Sequence, residues 1–417
     1  MEAEKIMKPL SSCALFGATR ALRGIRDAVI VQHSVIGCQW GSLVFGYADK
    51  SYAINQASTV VYEDEVINGG EKQLIKALGQ VKNLFPQQEA VFIVSGCVPN
   101  LIGDDVQGAV LQSGIPNAVH VAAPGYRGNI DTGVENAYLA LYDLIQEPVK
   151  KGKSINIFGI MYDDAFADND IKTLEKILNK KVRINCTLHR CTMHDIDHLA
   201  EAALNVCFGY GISLAKKMQE KYNIPYIECD YPYGISGSKE FLKILAEKLQ
   251  VDFSEEITCL EQQAKSLAYR SSDYLPTLYQ APVALIADKA HLQGLVKFFT
   301  EEVGMRVMIV KDTAGYNLND LEKDIIDYAP VLLCGSSWLN DLAAKYTLPL
   351  LRVAYPTFDR VCSTDKTYIG ACGAAHIIED IINITLQLRY KEQGVYSDFN
   401  MECADRCLTI SNKKCLK

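Results

Sequence analysis

Fourteen cysteines stand in this 417-residue chain, and three of them occupy positions where a thiol has room to act. Cys97 lies in "SGCVPNLIGDD", residues 95–105, directly after the apolar run "EAVFIV", which reads as a buried strand. The carboxyl end of a strand, ahead of a helix, is where α/β proteins keep their ligands. Cys38 in "HSVIGCQWG" also follows a strand-like run, and Cys13 lies in "SSCALFGA". Taken alone, each position is compatible with a nucleophile, a metal ligand or an inert packing thiol. The separations of 25 and 59 residues match neither a compact zinc ribbon nor a ferredoxin loop. The three thiolates can share a metal centre only if their strand ends converge at one sheet edge. An iron–sulfur cluster accepts such dispersed ligands, because it supplies its own rigid geometry.

Other chemistry is thinner. No strand is followed by G-x-G-x-x-G, the G-x-x-x-x-G-K-[ST] loop is absent, and no G-x-S-x-G elbow marks a serine nucleophile. "GISGSKEF", residues 234–241, offers backbone amides to a carboxylate or phosphate, with an ordinary helix N-terminus as the simpler reading. "CTLHRCTMHDIDH" groups Cys186, His189, Cys191, His194 and His198, a possible zinc set, although Thr192 or Asp195 there reads equally as a helix cap. Cys403, Cys407 and Cys415 in the polar tail suit packing on a partner or metal binding.

The elements that must position these residues follow an α/β rhythm. Short β-branched runs alternate with helical patterns, the mark of parallel sheets with crossover helices. "DAVIVQHS", "STVVYED", "AVFIVSG" and "NAVHVAAPG" read as strands, and Leu74, Leu78, Val81 and Leu84 form the apolar stripe of an intervening helix. Pattern breaks divide the chain into three Rossmann-like domains with parallel sheets flanked by helices: residues 1–150 with the three cysteines, 151–272, and 273–417 with the C-terminal tail. A net charge of −8 and a pI near 5.5 argue against a nucleic-acid partner. The longest uncharged apolar stretch, 202–215, is too short to span a bilayer. Glu2, Glu4, Lys5 and Lys8 leave no apolar signal region near the start. The chain is expected to be cytoplasmic, where cysteines do not form a disulfide framework.

Four ordered segments carry a family resemblance. "HSVIGCQWG" resembles the His-Gly-Pro-x-Gly-Cys segment of nitrogenase component 1 proteins, and "INGGEKQL" is similar to their Gly-Gly-Glu-Lys-x-Leu. "SGCVPNLIGDD" resembles Cys-x-x-x-x-Ile-Gly-Asp-Asp, and "APGYRGNIDTGVENA", residues 123–137, resembles Pro-Gly-Phe-x-Gly followed by Glu-Asn-Ala. Weaker similarity continues through "EKYNIPYIE" and "YPTFDRVCSTDKTYIGACGA".

This resemblance implies that Cys13, Cys38 and Cys97 are thiolate ligands to an iron–sulfur cluster at a subunit interface, of the four-iron or the eight-iron P-cluster type. It implies a homologous partner subunit, in a heterotetramer or homodimer, and an ATP-dependent iron protein as electron donor. It marks Cys207 as a ligand to a complex iron–sulfur cofactor in a domain cleft. The catalytic subunits of the family also use a histidine near the C-terminus, and "YPTFDRVCSTDKTYIG" has none; His376 lies on a later helix and Cys362 is the nearest soft donor. The expected function is a nitrogenase-like reductase subunit that relays electrons, with a scaffold for cofactor assembly as the alternative.

Overall fold

A computed structural model describes residues 11–48, 55–149, 152–270, 273, 275–362 and 364–392. Cys403, Cys407 and Cys415 lie outside the described residues. Three four-stranded sheets, parallel throughout, follow one another along the chain.

The first contains α1 (Ala14–Leu22), β1 (Ala28–His33), α2 (Ile36–Ala48), β2 (Gln56–Ser58), α3 (Glu63–Asn68), α4 (Glu71–Leu84), β3 (Ala90–Ser95), α5 (Cys97–Ile102), α6 (Val106–Ser113), β4 (Ala118–Ala122) and α7 (Ile130–Ala140). The second runs through β5 (Ser154–Phe158), α8 (Ala167–Leu178), β6 (Arg183–Cys186), α9 (Met193–Asp197), β7 (Leu204–Cys207), α10 (Ile212–Tyr222), β8 (Tyr226–Glu228), α11 (Gly234–Leu249) and α12 (Ser254–Arg270). The third comprises α13 (Leu275–Leu278), β9 (Pro282–Ala287), α14 (Leu292–Lys297), β10 (Arg306–Asp312), α15 (Leu318–Tyr328), β11 (Leu332–Gly335), α16 (Asn340–Lys345), β12 (Leu350–Arg352) and α17 (Gly370–Glu392). Strand orders are β2-β1-β3-β4, β6-β5-β7-β8 and β10-β9-β11-β12. Each sheet therefore reverses direction of growth between its first and third strands, the switch point that opens a crevice at the strands' carboxyl ends.

β1 and β3 are buried at every position, as strands covered by helices on both faces must be. Two expectations shift by a few residues. The "STVVYED" strand is confined to Gln56–Ser58, because Val60 takes a φ of 52° and turns the chain before Val61 buries its side chain. On α4, Leu74, Leu78 and Val81 are buried, but Leu84 is 72% exposed. The helix ends there, and Phe85 packs against that core instead.

Contacts between sheets are made by carboxylates at helix N-termini, where backbone amides lack partners. Asp27 accepts from the Met193 amide of α9, at 2.9 and 3.1 Å. Glu135 accepts from Gly211 at 2.7 Å and Ser213 at 3.2 Å at the start of α10. Glu302 accepts from Ser236 at 2.5 Å in the first turn of α11. The amides of "GISGSKEF" thus receive a carboxylate from the chain itself. The C-terminal helix α17 packs on α11 and α12, so it covers the second sheet although it follows the third in sequence.

Candidate metal centre

The crevice of the first sheet gathers the cysteines. β1 and β3 are paired neighbours, with His33 opposite Ser95, so the segments that leave them start side by side. One carries Cys38 in the first turns of α2, and the other carries Cys97 as the first residue of α5. Cys13 arrives from α1, as its N-cap residue. α1 and α7 cross with their backbones in near contact: a Cβ on Gly17 would lie 1.9 Å from the Ile130 carbonyl oxygen, and one on Gly133 would lie 1.8 Å from that of Ala14. Only glycine permits this approach. It brings Cys13 against the loop that enters α7, where it forms a backbone bridge with Asn129.

Gly125 in that loop is the floor of the site. Its amide donates to the Cys97 sulfur at 3.2 Å. A Cβ there would lie 2.9 Å from the Cys13 Cβ, and 3.3 and 3.5 Å from the sulfurs of Cys13 and Cys97. All three thiols are half-buried. The Cys38 thiol is pushed up, first by burial and then by the proximity of Cys13 and Cys97. Three neighbouring thiols are a donor set for a cation. Next to them Ile36 and Trp40 of α2 are 55% and 69% exposed, and a Cβ on Gly37 would meet nothing within 4 Å. The site is open on that side.

The spacing favours a polynuclear centre. A single zinc ion with Zn–S bonds of about 2.3 Å holds its sulfurs within roughly 4 Å of each other. Among the described residues, the one set of three ligand atoms all within 4.8 Å is Asp164, Asp288 and His291, and not the cysteines. Three soft donors over a glycine floor, spread more widely than one ion allows, fit an iron–sulfur cluster.

The quoted segments are tied together beneath the site. Asp104 of "LIGDD" receives the His33 Nε2 at 3.0 Å and the Gly70 amide at 2.8 Å, while the Asp105 amide donates to Glu71 of "GGEK" at 2.8 Å. Burial lowers the His33 pKa in spite of the opposing pull of Asp104. The neutral ring therefore donates to Asp104 and accepts from Thr59 Oγ1, 2.9 Å away. The glycine that touches the thiols is Gly125. Gly96 is needed for a different reason, since a Cβ there would lie 2.8 Å from Leu15 and 3.0 Å from the Ser34 Cβ.

Cys207 is elsewhere, at the carboxyl end of β7 in the second sheet. It pairs in register with Phe158 and is wholly buried. Burial, followed by Cys229, pushes its thiol well up. Cys186 and Cys191 are buried, with the Cys191 thiol pushed up by its neighbour Cys186 and by burial, and His189 engages Asp168 at 2.8 Å. Thr192 and Asp195 form a reciprocal cap on α9, as one reading of that segment expects. His376 bonds the Thr367 carbonyl, and Cys362 is half-buried.

Sequence reasoning missed the place where the three sheets meet. Arg20 of α1 is buried and reaches Asp163 and Asp164 at 2.8 Å each and Asp288 at 3.7 Å, with Tyr355 stacked 3.9 Å from its guanidinium. His291 adds Asp164 at 3.3 Å and the Tyr233 hydroxyl at 2.8 Å. Burial opposes charge on His291, but Asp288 and Asp164 outweigh it and push the imidazole up to about 9. The Arg20 guanidinium lies among the carboxylates that His291 also faces, so this set is an ionic junction. Its members are spread from residue 20 to residue 355, and no local spacing marks them.

Comparisons with known proteins bear on the family and the fold. The family model described as nitrogenase component 1 type oxidoreductase matches residues 13–386. The nitrogenase molybdenum-iron protein beta chain of Methanococcus maripaludis is 25% identical over 460 aligned residues, covering 94% of this chain and 97% of that protein. The nitrogenase iron-molybdenum cofactor biosynthesis protein NifE of Rippkaea orientalis is 33% identical over 259 residues, 56% of this chain and 52% of its own length. A solved structure titled nitrogenase Cp1 at pH 6.5 superposes with a TM-score of 0.81 at 19% identity, covering 94% of this chain and 95% of that one, and so shares the fold. With the thiol-bearing segments, the three sheets and nearly the whole length accounted for by one family model, the chain belongs to the nitrogenase component 1 type oxidoreductases.

Proposed function

We propose that this chain is one subunit of a nitrogenase-like reductase complex, in which Cys13, Cys38 and Cys97 hold an iron–sulfur cluster completed by a homologous partner subunit. The observation that carries the reading is the convergence of three thiol-bearing segments, α1, α2 and α5, on an open face, with Gly125 against Cys13 and Cys97. Exposed Ile36 and Trp40 beside them suit burial by a partner. When bound, the cluster would accept and release single electrons, at a potential governed by its ligands, hydrogen bonds and burial. The chain's own contribution is to orient three thiolates, donate the Gly125 amide to Cys97 and keep the inner side of the site dry. An ATP-dependent iron protein is the electron donor in this reading. The domain limits at 150 and 272 belong to it as well, with α17 returning to the second sheet.

A second reading, a scaffold on which an iron cofactor is assembled and released, is supported by the 33% identity to NifE over part of the chain. It is also supported by the absence of a histidine in "YPTFDRVCSTDKTYIG". Cys207 as a cofactor ligand is compatible with either reading. Its buried position in the sheet does not fit a bulky group in the conformation seen, so loading would require the turn between β7 and α10 to open.

The test is anaerobic purification of the chain with its partner subunit, iron and sulfide counting, and EPR. Cys97→Ala should remove the cluster signal and most of the associated iron; an unchanged spectrum refutes the ligand assignment. Turnover with iron protein, ATP and reductant separates the reductase from a scaffold, which instead passes on an iron precursor. Cys207→Ala should lower iron content if Cys207 is a cofactor ligand, and unchanged iron refutes that assignment.

A further inference from the structure

The turn that delivers Cys97 is held by a side chain of the helix it begins. α5 is six residues long and starts from Gly96, which has no side chain to cap it. A helix this short has little stability of its own. Asn100 supplies the missing tie from inside the helix. Its Nδ2 donates to the Gly96 carbonyl at 2.7 Å and to the Ser95 hydroxyl oxygen at 2.9 Å, with the Ser95 carbonyl a longer 3.2 Å away. Both carbonyls can only accept, so the amide has one orientation, with its nitrogen toward the turn. The Ser95 hydroxyl then gives its own proton to His120 Nε2 of β4, at 2.8 Å.

The peptide units that Asn100 grips are those that join the walls of the metal centre. The Gly96 amide donates to the His33 carbonyl at 2.9 Å, at the end of the strand that leads to Cys38. The Ser95 carbonyl also accepts from the Ala123 amide at 3.0 Å, at the start of the loop that carries Gly125. One side chain thus fixes the start of α5 against β1 and against the loop whose Gly125 amide meets the Cys97 sulfur at 3.2 Å.

We infer that Asn100 is a positioning residue: by clamping the Ser95–Gly96 turn it keeps the Cys97 sulfur on the Gly125 amide, and so raises the reduction potential of the centre the three thiolates hold. The inference rests on the function proposed above. One-electron reduction by the iron protein adds negative charge, shared between the cluster and its sulfur ligands. A hydrogen bond to one of those sulfurs stabilises the reduced form more than the oxidised form. The Gly125 donor is backbone, so a side-chain change does not delete it. Its alignment with the sulfur is what Asn100 controls, and a hydrogen bond weakens steeply as its angle closes. Asn100→Ala removes the clamp. Asn100→Ser keeps part of it, because a helical serine bonds the carbonyl four residues back, and that carbonyl is the one of Gly96.

The experiment uses the complex with its partner subunit, reconstituted anaerobically as parent, Asn100→Ala and Asn100→Ser. Iron and sulfide are counted first, and the midpoint potential and g-values are then measured by EPR-monitored redox titration. A lower potential and shifted g-values are expected in Asn100→Ala, with a return toward the parent in Asn100→Ser. Loss of iron from Asn100→Ala alone, with Asn100→Ser loaded at the parent potential, supports the same conclusion, since the retained bond to Gly96 then suffices to place the thiol. An unchanged or higher potential in a loaded Asn100→Ala complex overturns this inference and leaves the proposed function standing. So does an Asn100→Ser complex displaced as far as Asn100→Ala, or failing to load along with it, because the retained donor would then place nothing. A parent complex without iron overturns the proposed function, and this inference with it.

Discussion

Asp104 touches none of the thiols, yet its carboxylate joins the segments that bear them. It takes one hydrogen bond from His33, just before the turn to Cys38, and one from Gly70, while its own segment begins at Cys97. A Cβ on Gly70 would lie 2.7 Å from this carboxylate and 2.9 Å from the His33 ring, which explains a glycine there. Asp104→Ala leaves a buried imidazole N–H and an amide without acceptors, a loss on the order of 3 kcal/mol, measurable by urea denaturation. Asp104→Asn keeps an acceptor oxygen for one of them and should cost less. At this scale much was legible, because a cysteine announces its chemistry by its type. Gly125 was not, because a glycine acquires a role only from what folding places against it.

The crossing of α1 and α7 sets the position of Cys13, and it depends on two glycines. A methyl group on Gly133 would meet the backbone of Ala14 and of Ala18, at 1.8 and 2.7 Å, and neither atom can swing away as a side-chain end would. Gly133→Ala should therefore push the helices apart and cost about 3 kcal/mol, seen as a lower melting temperature. It should also lower iron loading, because Cys13 moves with α1. Apolar runs and breaks made the strands readable, since β1, β3 and β7 are buried along their whole length and their composition says so. Element ends were less readable. The valines at 60 and 61 look like a strand, but the turn at Val60 takes them out of the sheet.

For the whole molecule, the junction of Arg20, Asp163, Asp164, Asp288 and His291 is where the three sheets answer to pH. In the unfolded chain His291 titrates near its ordinary value of 6.5, and in the folded chain near 9. The folded state therefore holds a proton that the unfolded state has released. This stabilisation is fully present below pH 6.5 and is lost as pH rises to about 9, a change of ~3 kcal/mol for an upward shift of this size. Urea midpoints measured across that window should fall with pH in the parent and more weakly in His291→Gln. None of this could be foreseen from spacing, since its charges are drawn from all three sheets. The carboxylates that cap the second sheet's helices have a further consequence, which concerns synthesis on the ribosome. Asp27 and Glu135 precede α9 and α10 in the chain, so those helices emerge with their acceptors already made. Glu302 is 66 residues beyond Ser236. At translation rates of about 5–20 residues per second, the start of α11 waits roughly 3–13 s for its carboxylate. The first turn of α11 is thus left without its acceptor until the strand that begins the third sheet has followed it out of the tunnel.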